Sequence, residues 1–401
     1  EKEIVYPIHN NKFVNFWLEM PQKPMSDDLF IRYFTVRYQL YKLTNYMEHT
    51  PELEETDSYL HATDFARAWM LGIIPTEEVY REMMGRISSP AQIKAITTVL
   101  NDNVRFNKEK ERYADIKNVD FSLFRSLAQK IVDRILEIEL KRGDSETQVT
   151  SLAEELSYIY GADTFIHILQ AFGKDTFIRD SYNWGSTKRG VLSSLLHACH
   201  PLPTDTSENL KKLAKQAEIS DERLVEAAMF APQWIELTEK AIGWKGLTSA
   251  AYYFHAHTNE TCDDKKKAII ARYTPIDVED LREGAFDIDW FRDAFKTIGK
   301  RRFEVVYNAA KYISCSNSHT RARKFADATN GAVKAADVKK EIVAKRNKDL
   351  LMSYGLIPLG RKPDKELLDR YQYLQKFLKE SKEFGAQRQE SEKKAVNIAL
   401  Q

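Results

Sequence analysis

Apolar residues recur along this chain at the period of a helix rather than a strand. In "LFRSLAQKIVDRILEIEL", Leu123, Leu127, Ile131 and Ile135 return every four residues, and Phe124 and Ile138 widen the stripe. That spacing makes one face of a helix apolar. Start signals accompany the pattern. Thr76 is predicted to cap "PTEEVYREMMGRI", with Glu77 and Glu78 in the first turn, where the helix dipole favours carboxylates. Ser89 with Pro90 opens "SSPAQIKAITTVL", Ser220 opens "SDERLVEAAMF", and Pro232 opens "PQWIELTEKAI". Further helices are expected in "DWFRDAFKTI", "RRFEVVYNAAKYI", "KAADVKKEIVAKRNKDLLMSYG" (ended by Gly355 and Pro358) and "DKELLDRYQYLQKFLKESKEF".

Strand signals are weak, and the Asn330-Gly331 pair lies between helical patterns rather than alternating ones. The expected class is therefore all-α. Helices of roughly ten to twenty residues with short polar joints suit antiparallel pairs. An irregular, HEAT-like α-solenoid of such pairs is expected, with a compact multi-helix domain as the alternative. The polar break from Gly143 to Thr147 divides the chain into an N-terminal helical block, 1–145, and a second block, 146–401.

Composition narrows the picture. Of 401 residues 43% are hydrophobic, enough to form a core, and no run of eighteen apolar residues offers a membrane span. The opening "EKEIVYPIHNNKF" has no initiating Met and no apolar signal-peptide region, while "ESEKKAVNIALQ" stops inside a helical pattern. Both ends are expected to be cuts in a longer polypeptide, with the second block continuing past residue 401. Three cysteines, Cys199, Cys262 and Cys315, argue for a reducing, cytoplasmic setting over a disulfide framework. A net charge of +1 gives no global pull towards nucleic acid or membrane.

Candidate chemistry lies in a few stretches. "LHACHP" and "FHAHTNETC" gather His197, His200, His255, His257 and Cys262, all metal-ligand types. His197 and His200, at i and i+3, share a helix face; Cys199 does not. His255 and His257, two apart, diverge by about 200° on a helix. No Cys-x-x-Cys or His-Glu-x-x-His is present, so the preferred reading is helix-end histidines closed by Pro201, with no metal and no cofactor. Gly185 and Gly190 have phosphate-loop separation, but Val191 and Leu192 stand where Lys and Ser or Thr are needed. The Asp287/Asp289 pair reads as a cap at Asp289 rather than an acid–base couple.

Charge is the most persuasive local anomaly. From Lys296 to Lys348 there are fourteen Lys or Arg against four acids, preceded from Pro275 to Asp293 by seven acids against two arginines. Arg301, Arg302, Arg321, Arg323 and Lys324 are the nucleic-acid-binding candidates, if they converge on one face beside Tyr307 and Tyr312. The preferred alternative is that the two charged segments neutralise each other as packed neighbours or that the basic face is merely solvated.

"EAAMFAPQWIELTEKAIGWKGL", "AYYFHAHTNE", "GAFDIDWFRDAF", "NAAKYISCSNSHTRARKFADA" and "DRYQYLQKFLKESKEFGAQRQESEKKAVNIAL" together resemble large uncharacterised bacterial proteins with a C-terminal domain of unknown function, sometimes described as molybdate-metabolism-regulator-like. The resemblance spans residues 220–401 and implies a helical part of a larger cytoplasmic bacterial protein. Some relatives carry a Trp-Gly-Arg module; this chain has no such motif, so no nucleic-acid role transfers. The functional expectation is a non-catalytic helical scaffold or interaction region that binds a protein or peptide. The alternatives are a nucleic-acid-associated module using residues 296–348, and part of an uncharacterised enzyme.

Overall fold

The computed structural model describes residues 26–46, 60, 62–82, 121–179, 187–258, 262–315 and 317–401. They are predominantly helical and divide into two compact units. The first contains the described residues up to Thr176 and those from 187 to Leu202; the second contains 177–179 and Pro203–Gln401.

In the first unit, α1 (Asp27–Tyr46), α2 (Ala62–Met70), α3 (Thr76–Arg81), α4 (Phe121–Glu139), α5 (Thr150–Glu154), α6 (Ala162–Phe172) and α7 (Lys188–Ala198) follow in order. Phe30, Phe34 and Tyr38, four apart on α1, make a buried aromatic ridge that meets Phe65 of α2 edge-on. On α4 the buried stripe is Leu127, Ile131 and Ile135 with Ala128, Val132 and Leu136 beside them. The side chains of Leu123 and Phe124 lie outside the described residues, as do Ser89 and Pro90. Thr76 does not cap α3: it is the first helical residue, and its hydroxyl accepts a hydrogen bond from the Trp69 indole at 3.0 Å.

Residues 143–147 lie inside this unit, where α4 turns into α5 over a buried ion pair. Arg142 donates to Glu139 at 2.5 Å, and Thr147 and Thr150 hydroxyls donate to the same carboxylate. Glu139 is 0% exposed, so every one of these bonds replaces water it has lost. Two residues from each of two segments form a short parallel pair, β1 (Ile159–Tyr160) with β2 (Cys199–His200).

The second unit is built around one helix. It contains α8 (Ser207–Gln216), α9 (Asp221–Phe230), a 3₁₀ turn at Pro232–Trp234, α10 (Ile235–Ile242), α11 (Leu247–Ala256), α12 (Asp264–Ile270), α13 (Val278–Glu283), α14 (Ile288–Ile298) and α15 (Lys300–Ala309). It continues with α16 (His319–Thr329), α17 (Ala335–Lys345), α18 (Lys348–Leu356), α19 (Pro363–Glu380) and α20 (Ala386–Leu400). All ten residues of α11 are buried, and α10, α12, α13, α14, α15 and α16 all pack on it. A helix apolar on every side must be wrapped on every side. This unit therefore follows the compact multi-helix alternative rather than a stack in which each pair touches only its neighbours.

Ser220 caps α9 as expected, accepting from the Arg223 amide at 3.2 Å. The cap of α14 is Asp287, not Asp289: it accepts from the Trp290 amide at 2.9 Å, while Thr274 donates to its other oxygen at 2.7 Å. The helix expected over 334–355 is broken in two. Arg346 takes a left-handed φ of 44° between α17 and α18, and Asn347 caps α18 through the Leu350 amide. The break is held by the Arg346 guanidinium, which reaches both oxygens of Glu392 and lies over the rings of Phe377 and Phe384. Behind it, Phe325, Leu351, Leu374, Phe377 and Val396 form the core shared by α16 to α20.

Candidate functional site

The last turn of α11 carries the titratable groups set deepest in the second unit. His257 follows the helix and lies among Tyr253, Phe286, Trp290 and Phe325, with ring centroids 4.7 to 6.3 Å away. Its Nδ1 is 2.8 Å from the Tyr253 carbonyl and its Nε2 is 3.2 Å from the Ala285 carbonyl. Two carbonyl acceptors satisfy an imidazolium fully, whereas a neutral ring has one N–H to give. Burial nevertheless dominates and pushes its pKa down to about 4, against the upward pull of those two bonds. At neutral pH His257 is thus an uncharged strut joining α11 to the segment before α14.

His255 sits beside Tyr252, ring centroids 5.8 Å apart, with its Nε2 buried and without a hydrogen-bond partner. Burial, reinforced by Lys266 and Arg179, holds it well below the ordinary imidazole range. Cys262 is half-buried, and burial raises its thiol, which keeps it from being a ready thiolate.

His197 and His200 belong to the first unit. They do not share a helix face, because α7 ends at Ala198 and the chain goes extended at Cys199 (φ −81°, ψ 123°). Cys199 and His200 then pair with Ile159 and Tyr160; the His200 carbonyl accepts from the Gly161 amide at 3.0 Å, and its ring stacks on Tyr158. His197 lies in the last turn of α7, as a helix-end histidine should; His200 does not, because the strand pairing captures the backbone before Pro201. Among the described residues, no group of three His, Cys, Asp or Glu side chains is placed to hold a metal ion. Gly185 lies outside the described residues; Thr187 caps the helix after it, accepting from the Gly190 amide.

The five basic candidates have different surroundings. Arg321 donates to Asp349 at 2.8 Å and to the Arg282 carbonyl at 2.5 Å. Arg323 donates to the Tyr307 and Asn308 carbonyls, both at 3.0 Å, and lies over the Tyr307 ring. Two residues apart on α16, they leave the helix towards different neighbours, α18 and α15. Arg302 lies 5.3 Å from the Trp244 ring centre; Arg301 is exposed and Lys324 half-buried. Among the described residues, the ion pairs of the basic segment either stay within it, Lys345 with Glu341, or run forward to Asp349, Glu380 and Glu392; in the acidic stretch before it Glu279 pairs with Arg282 and Glu283 with Lys394.

Sequence reasoning missed the outer face of α19. Leu367, Leu368 and Tyr371 are exposed there, while Arg370, Leu374 and Phe377 face inward. The signal was present: "LLDRYQYLQKFL" has apolar residues at Leu367, Leu368, Tyr371, Tyr373, Leu374, Phe377 and Leu378, more than one face can bury.

These features define an all-α, multi-helix protein whose deep histidines and ion pairs are used to hold helices together. Among the described residues no helix is long and apolar enough to cross a membrane. The chain belongs to a family of unknown function, DUF5724, whose model matches residues 1–401. No curated protein and no solved structure matches it.

Proposed function

We propose that this chain is a non-catalytic helical scaffold, a protein-interaction region of a larger cytoplasmic bacterial protein. The observation that carries the reading is the outer face of α19, where Leu367, Leu368 and Tyr371 are 58%, 54% and 51% exposed. Scattered apolar residues on a surface are ordinary; three large ones at i, i+1 and i+4 on one helix face form a patch. Tyrosine is among the residue types enriched at interface centres. The helix beneath is anchored by Arg370, buried and donating to the Ile357 carbonyl at 2.5 Å, so the patch rides on a fixed support.

The test compares the wild type with a Leu368→Asp/Tyr371→Asp variant as baits, followed by binding of the purified candidate. A protein that binds the wild type directly and loses at least tenfold in affinity for the variant supports the reading. The same partners bound equally by both would refute it.

A further inference from the structure

The occupant of that face can be argued from its charges, and the argument rests on the docking reading just given. At 100° per residue, Asp364, Leu368, Tyr371, Gln375 and Lys379 fall on one line of α19, with Leu367 and Gln372 on either side. All but the half-buried Gln375 are exposed. The ion pairs α19 makes use Glu366, Arg370, Lys376 and Glu380, and leave Asp364 and Lys379 to solvent. The face thus reads acidic at its N-terminal end, apolar and aromatic in the middle, and basic at its C-terminal end. The two charges stand about 22 Å apart along the axis, at 1.5 Å per residue.

Such a face is complementary to itself when reversed. We propose that α19 pairs antiparallel with α19 of a second copy of this chain, across a two-fold axis passing between Tyr371 and Gln372. In that pairing each Asp364 meets the other copy's Lys379, each Leu368 lies on the aliphatic part of Gln375, and the two Tyr371 rings meet near the axis. A parallel pairing would set Asp364 against Asp364 and Lys379 against Lys379, so charge selects the antiparallel one. Antiparallel alignment also sets opposite ends of the helix dipoles together. The contact is isologous, the same patch on both copies, which is the closed two-fold arrangement most homo-oligomers adopt. One helix pair buries less than the roughly 1,200 Å² typical of stable complexes, so the dimer is a reversible one, formed at micromolar concentrations and above.

Sedimentation equilibrium of the whole chain between about 1 and 200 μM at low salt tests this. The wild type is expected to shift from monomer to dimer over that range, and Leu368→Asp/Tyr371→Asp to remain monomeric with unchanged helical circular dichroism. Asp364→Lys or Lys379→Asp alone turns two exposed attractions into repulsions and is expected to weaken the dimer roughly tenfold. The double exchange Asp364→Lys/Lys379→Asp restores it to within about twofold. A wild type monomeric throughout, a dimer indifferent to the α19 variants, or a double exchange that fails to rescue overturns the pairing. A monomeric chain whose α19 variant still loses a different protein would overturn the pairing alone and leave the docking reading in place.

Discussion

Lowering the pH from 7.5 to 5 is expected to destabilise the second unit through His257. The side chain is 1% exposed, and burial moves its pKa from an ordinary 6.5 to about 4. The unfolded chain therefore takes up a proton near pH 6.5 that the folded protein refuses until about pH 4. Between those values the unfolded state holds more protons, so stability falls as pH falls; above 6.5 the contribution is complete. At about 1.4 kcal/mol per pH unit, the whole interval is worth about 3 kcal/mol, of which about 2 kcal/mol is gone by pH 5. Urea denaturation followed by tryptophan fluorescence reads this out, because Trp290 lies 6.3 Å from the imidazole. His257→Phe is expected to be less stable at pH 7.5, since the single N–H that the neutral ring gives to the Tyr253 or Ala285 carbonyl is lost. Its stability should nonetheless fall by about 2 kcal/mol less than the wild type's between pH 7.5 and 5. His255, also held neutral, is present in both proteins and cancels. Parallel pH curves for the two proteins, or a His257 resonance titrating near 6.5, would refute the reasoning.

Three further outcomes follow from the same geometry. Arg346→Ala leaves Glu392, 1% exposed, with Arg388 as its cationic partner and should cost about 3–5 kcal/mol in chemical denaturation. Arg388→Ala should cost clearly less, because that side chain is half-exposed. Glu139→Ala strips Arg142, Thr147 and Thr150 of their shared acceptor; a loss of about 3 kcal/mol is expected, against near neutrality for the exposed Glu137→Ala. Gly246→Ala combines a φ of 90° with a Cβ 2.9 Å from Thr297 Cγ2 and should cost about 2 kcal/mol. Gly243→Ala, left-handed but with open space around its Cβ, should cost about 1 kcal/mol, and equal losses at the two glycines would show that crowding plays no part.

How legible each part was depended on the range of the interactions behind it. Ser220 was readable as a cap because the bond it makes reaches only three residues along the chain. Thr76 and Asp289 were misplaced by one or two residues because competing partners, Trp69 and Thr274, come from neighbouring segments. The continuous pattern over 334–355 concealed a break whose cause, Glu392, lies 46 residues further on. His200 was assigned to a helix end because nothing in "LHACHP" reveals that Ile159 and Tyr160 will pair there.

By itself, then, the sequence determined the all-α class, most helix positions and the lack of a long apolar span, since these rest on local periodicity and composition. It also held, in an apolar stripe too wide for one buried face, the sign that α19 keeps apolar residues on its surface. Only the tertiary structure decided that α11 would be the enclosed centre of its unit, and that His257 would be an uncharged strut between two carbonyls. It likewise decided that Arg321 and Arg323 would be spent on Asp349 and on backbone carbonyls. Whether a histidine or arginine is available for chemistry depends on which groups arrive beside it from distant segments, and periodicity carries no record of that.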